Sequence, residues 1–149
     1  MPPKHTLQQL IEIARAHSER AARTLGATRS RERAEQSKLQ LLISYREEYL
    51  LRFAEASRKG LERLALINYR EFMQRLDDAV RQQGELLARH QHKLEECRTD
   101  WRSANGKLKS FDTLDERRKS VERVVQRRRE QRQHDEHAAR RARGNEGQS

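Results

Sequence analysis

The 149-residue chain carries a formal net charge of +10, with 38% charged and 34% hydrophobic residues and a mean hydropathy of −1.18. With glycine included, about 38% of the chain is apolar against about 45–50% in an ordinary globular domain, which excludes a thick core. No run approaches the 18 or so apolar residues needed to span a membrane, and no apolar stretch follows Met1 as in a secretory signal. Cys97 is the single cysteine, so no internal disulfide forms, which fits a reducing compartment.

Residues 1–4 hold both prolines, Pro2 and Pro3, and are expected to be disordered. Beyond them every residue has a backbone N–H. Leu and Ala far outnumber Val, Ile and Thr, which favours helix over strand. Helix one is predicted over 5–57. Its seam recurs at alternating steps of four and three: Leu7, Ile11, Ala14, Ser18, Ala21, Leu25, Thr28, Glu32, Glu35, Leu39, Leu42, Arg46, Tyr49, Phe53 and Ala56. A mean step of about 3.5 residues marks a narrow seam on a left-handed supercoil. The seam turns polar from Thr28 to Glu35, where loose or frayed pairing is expected.

A turn is predicted over 58–68. Gly60 follows Arg58-Lys59, as at many helix C-termini, and Asn68 with Glu71 three residues later resembles a capping box. Paired helix two is predicted over 69–114. Its seam is Tyr69, Met73, Leu76, Val80, Gln83, Leu87, His90, Leu94, Cys97, Trp101, Ala104, Leu108 and Phe111. Two long helices with a short link pack antiparallel. Helix one, roughly 80 Å long at about 1.5 Å per residue, then runs out near the point where the second seam ends. Residues 115–143 are predicted to be an unpaired basic helical overhang, and 144–149 a disordered tail. The expected fold is all-α, an antiparallel two-helix coiled-coil hairpin with a longer second helix.

The motifs of common catalytic chemistry are missing. There is no phosphate-binding G-x-x-x-x-G-K-[ST], no G-x-G-x-x-G and no C-x-x-C. Two packed helices offer no enclosed pocket. His90 and His92 point to different sides of a helix. His90 shares the seam with Cys97, so it reads as packing and His92 as solvated. His134 and His137 read as part of a solvated face. No enzyme activity, metal or cofactor is expected.

Two features remain for binding. Five of the seven aromatics, Tyr45, Tyr49, Phe53, Tyr69 and Phe72, flank the turn. Around them Leu41, Leu42, Ile43, Leu50 and Leu51, with Leu76 and Ala79, exceed the roughly two positions in seven that a two-helix seam buries. The surplus forms either a thickened local core or an exposed patch for another protein. The second feature is the segment 117–143, where 11 Arg or Lys stand against 4 acidic residues for a net charge of +7. It suits an acidic partner: nucleic acid, an acidic membrane surface or an acidic protein cavity. A basic helix alone contacts phosphates without reading sequence. No aromatic interleaves the arginines for stacking, and the segment has too little apolar face for a membrane surface.

The run Leu7-Gln8-Gln9-Leu10-Ile11, the run Leu41-Leu42-Ile43-Ser44-Tyr45-Arg46-Glu47-Glu48-Tyr49 and the run Asn68-Tyr69-Arg70-Glu71-Phe72 resemble the flagellar export family FliJ. So do Leu76-Asp77-Asp78-Ala79-Val80, Trp101 and Leu114, and the resemblance covers nearly the whole chain. It implies an antiparallel coiled coil that serves as the stalk of a type III export ATPase complex. The stalk would enter a hexameric ATPase ring, contact the membrane export gate protein and escort export chaperones. It would lie in the cytoplasm beneath the flagellar basal body, with only indirect membrane association and no nucleic-acid partner. By the same resemblance the gate-binding patch is Leu42, Tyr45, Tyr49, Phe72, Leu76 and Ala79. The ring-binding residues are Leu7, Leu10, Ile11, Arg15, Arg117, Arg118, Arg123 and Arg127. The rival readings are the stalk of a virulence-type secretion ATPase and a basic coiled-coil nucleic-acid binder.

Overall fold

The computed structural model describes residues 3–147. Two helices account for nearly all of them: α1 is Lys4–Lys59 and α2 is Arg63–Glu146, of 56 and 84 residues. The chain is all-α, with the second helix the longer. It divides into two compact units, one of His17–Ala104 and the other of Met1–Ala16 with Asn105–Ser149.

The turn is shorter than its sequence suggests, occupying 60–62 rather than 58–68. Gly60 takes a φ of 94°, a left-handed conformation that costs L-residues strain and glycine none. Its N–H donates to the Ser57 carbonyl at 3.2 Å. Arg58 and Lys59 sit in the last turn of α1, where positive charge complements the helix dipole. With reversal completed by 62, the next helix starts at Arg63. Asn68 and Glu71 therefore lie inside α2 instead of capping it. The tight left-handed stop supplied the reversal before the capping residues were reached.

In the unit 17–104 the helices run antiparallel, because contacts that climb α1 descend α2. Thr28 meets Cys97, with Oγ1 and Sγ 3.6 Å apart, Gln83 bonds Glu35, Arg46 pairs with Asp77 at 2.7 Å, and Phe53 contacts Tyr69. Every seam position of this unit is buried or half-buried except Arg46. The polar stretch is closed and helical rather than frayed. Thr28 is buried, and Gln83 Nε2 donates to the Glu35 carbonyl at 3.0 Å and to its carboxylate at 2.6 Å. Hydrogen bonds replace apolar packing there, because buried polar groups are tolerated only when paired.

In the other unit Leu7, Ile11 and Ala14 of α1 are buried, and Leu108, Phe111 and Leu114 of α2 are half-buried. Gln8 Nε2 donates to Asp115 Oδ1 at 3.2 Å. Burial continues past the predicted limit at 114: Asp115 and Arg118 are buried, and only from Lys119 is every described residue exposed. The helix runs on to Glu146 rather than ending at 143. Lys4 is helical too. The disorder expected of residues 1–2 and 148–149 falls outside the described residues.

Candidate interaction surfaces

Four of the five aromatic residues near the turn form one cross-helix cluster. Tyr49 on α1 lies with its ring centroid 4.3 Å from Phe72 and 5.2 Å from Tyr69, while Phe53 lies 5.3 Å from Tyr69. Tilted and edge-on pairs at these separations suit the quadrupoles of the rings. The six residues assigned to the patch divide by depth. Leu76 is core, at 9% exposure. Leu42, Tyr49 and Ala79 are half-buried. Tyr45 and Phe72 stay open, at 52% and 42%.

The surplus apolar side chains thus divide between a thickened core and an exposed surface. Tyr45 lies four residues after Leu41, which puts both on one face of α1, and Leu41 is exposed as well. Leu50, Leu51, Leu64 and Ile67 add further exposed apolar side chains near the turn.

The second surface belongs to the unit containing the chain termini. Of the residues assigned there, Arg15, Arg117, Arg123 and Arg127 are exposed and Leu10 is half-buried. Leu7 and Ile11 are buried, at 1% and 4% exposure, and pack inside this unit. Leu7 and Ile11 are seam positions, and the seam claims them.

Arg118 also departs from its assignment. Its side chain is only 10% exposed, and Nη2 donates to Asp115 Oδ1 at 2.8 Å. Nη1 lies 3.7 Å from Glu122, and neither Nε nor Nη1 has a hydrogen-bond partner. Lys119 reaches the other Asp115 oxygen at 3.1 Å. Hydrogen bonds from Lys119 and then Arg118 pull the Asp115 carboxyl below its ordinary range, against the opposing effect of burial. The basic surface is therefore the helix from Lys119 onward together with Arg117. Val121, Val124 and Val125 are exposed among its arginines.

A family model described as "Flagellar FliJ protein" matches residues 3–147. The chain belongs to the FliJ family. Among its relatives, the flagellar FliJ protein of Escherichia coli (strain K12) is 30% identical over 136 residues, covering 91% of this chain and 92% of the relative. The flagellar FliJ protein of Salmonella typhi is 29% identical over the same length and shares of each chain. FliJ membership makes this a flagellar export-related protein. None of its described helices is long and apolar enough to cross a membrane.

Sequence reasoning missed three polar residues in this FliJ chain. Gln8 and Asp115 tie the start of α1 to α2, and Gln83 satisfies Glu35 inside the seam. For Gln83 a signal existed, since it occupies a seam position opposite the polar stretch of α1. Gln8 flanks its seam by one residue, where a polar side chain is ordinary and gives no warning, whereas Asp115, four residues after Phe111, continues the alternation of its seam with a polar residue. His90 is half-buried in the seam, and His92 is exposed with Nε2 3.1 Å from Glu96. Among the described residues no three His, Cys, Asp or Glu side chains converge on a common point.

Proposed function

We propose that this FliJ-family chain is a non-enzymatic stalk of the flagellar type III export ATPase complex. Its basic helix enters a hexameric ATPase ring, its aromatic face binds the cytoplasmic part of the membrane export gate, and it escorts export chaperones. The observation that carries this reading is a pair of chemically unlike surfaces on separate units. One is an aromatic and aliphatic face around Tyr45 and Phe72. The other is a basic helix exposed on every side from Lys119. A connector between two machines needs two such surfaces. Opposite charge guides encounter and sets specificity, and exposed aromatics make strong contact anchors. The protein works at the cytoplasmic side of the membrane and reaches it through the gate.

The test of the basic surface is ATP turnover by the purified ring with and without this chain, across salt concentration. Stimulation should weaken as salt rises and fall sharply when Arg117, Arg123 and Arg127 are all changed to Glu. Undiminished stimulation by that variant overturns the ring contact. For the aromatic face, Tyr45→Ala with Phe72→Ala should abolish gate binding while helicity is kept. Normal gate binding by the double variant assigns those rings to packing alone. Tight duplex DNA binding with a steep salt slope would favour the nucleic-acid alternative instead. Co-purification with a virulence-type ATPase would favour that system.

A further inference from the structure

Gly26 and Gly84 lie within the two continuous helices inside the unit 17–104. A methyl group added at either position meets nothing within 4 Å, and neither has the left-handed backbone seen at Gly60. Packing and backbone geometry therefore give no reason for glycine at either place. What glycine does there is loosen its helix relative to alanine.

Their placement matches the one polar stretch of the seam. Thr28 lies against Cys97 and Glu35 against Gln83, so Gly26 stands at one limit of this stretch on α1 and Gly84 at the other limit on α2. Between them α1 offers Thr28, Glu32 and Glu35 to the seam, and Gln83 and His90 face them from α2. On either side the seam returns to Leu25 and Leu39 of α1. Hydrogen-bonded polar layers hold register well but add less cohesion than leucine layers. Leu87 and Leu94 stay buried within the stretch and keep it closed at rest.

We propose that residues 26–38 of α1 and 83–99 of α2 form a built-in soft segment, where the helix pair opens and flexes while the seam on both sides stays paired. Two kinds of weakness coincide there, one in the backbone and one in the seam. The glycines stand on opposite helices at opposite limits, so each end of the segment has a compliant backbone on one helix. The polar pairs re-form the same register after each opening, because leucine positions cannot satisfy them in a shifted alignment. Such a segment lets the part of the unit that carries the aromatic face bend under load without unzipping.

Hydrogen exchange of the full-length chain, read by mass spectrometry, tests this directly and does not depend on the proposed stalk role. Protection should pass through a minimum across 26–38 and 83–99, with slower exchange in 39–56 and 65–82 on one side and in 17–25 and 100–104 on the other. Gly26→Ala with Gly84→Ala should slow exchange about tenfold within the segment and much less in its flanks. Gly106→Ala, a helical glycine of the other unit with equal room for a methyl, should leave the segment unchanged. A profile without the minimum overturns the proposal. So does a double variant that slows exchange uniformly across the unit, since that would reflect global stability alone.

Discussion

Gln83 on α2 donates both to the carboxylate of Glu35 on α1, at 2.6 Å, and to that residue's own carbonyl, at 3.0 Å. One side chain thus satisfies a seam carboxylate only 14% exposed and locks onto the facing backbone. The pair is asymmetric in its consequences. Removing the donor leaves a largely covered carboxylate with only the exposed Lys38 ammonium beside it, whereas replacing both members by leucine removes the polar requirement and adds apolar packing. Gln83→Leu alone should therefore lower the melting temperature, and Glu35→Leu with Gln83→Leu should raise it above that of the parent chain. Thermal unfolding followed by circular dichroism decides the order. A double variant less stable than the single one would mean the bonds are net contributors in their own right.

Acid should weaken the fold through two carboxylates. Glu35 is held below the ordinary glutamate range chiefly by the Gln83 hydrogen bond, which outweighs the opposing effect of burial, with Lys38 adding to the lowering. Asp115 is held low by Lys119 and Arg118. Both groups bind protons less readily folded than unfolded, so their stabilisation is complete above the unfolded values of about 4.3 and 3.9 and is lost as pH falls through the lower folded values. Protonating Asp115 also removes the partner of a buried guanidinium. Urea midpoints measured from pH 7 to pH 2 should fall at the acid end. Glu35→Gln with Asp115→Asn should flatten that fall while lowering the neutral-pH midpoint.

The turn rests on one conformational requirement. Gly60 sits at a φ of 94° with open space where a side chain would be, so Gly60→Ala suffers no clash beyond its own backbone. The cost is then the intrinsic penalty of the left-handed region, about 1–2 kcal/mol. For a chain of this size that corresponds to a melting temperature lower by about 2–4 °C per kcal/mol. Gly60→Asn should lose less, because asparagine tolerates that region. Equal losses for the two variants would show that something other than φ governs the turn.

The seam was legible in the sequence because a coiled coil is a one-dimensional pattern. Positions from Leu7 to Ala56 and from Tyr69 to Phe111 carry their burial in their spacing, and Arg46 alone of them is exposed. The turn was misjudged because the Asn68-Glu71 capping signal competes with Gly60, and the backbone conformation at Gly60 decides between them. The candidate site was legible in part. Tyr45 and Phe72, which flank the seam, are open as an exposed patch requires, whereas Leu76 is core, as its seam position implied. Whether a flanking residue faces its partner helix or solvent depends on the local twist of the pair, which spacing alone does not give. Arg118 was misread for another reason: Asp115 and Arg118 continue the four-three alternation beyond Phe111, yet a run of basic residues reads as uniformly solvated.

Leu7 separates the two roles that the sequence assigned together. At 1% exposure it is the largest fully buried side chain of the described residues, while the sequence reading also made it a ring contact. Truncation to alanine should cost about 2–4 kcal/mol, the transfer and cavity cost of a buried leucine. Leu51→Ala, at a position 73% exposed, should stay within about 0.5 kcal/mol. Urea unfolding measures both, and hydrogen exchange across 3–16 shows whether the Leu7 loss is local to its unit. If Leu7 acts only as core, Leu7→Ala weakens ring stimulation in proportion to the lost protection of 3–16, and conditions that restore the protection restore the stimulation. Full protection with lost stimulation would instead return Leu7 to the contact surface, and would require the start of α1 to leave the seam when the ring binds.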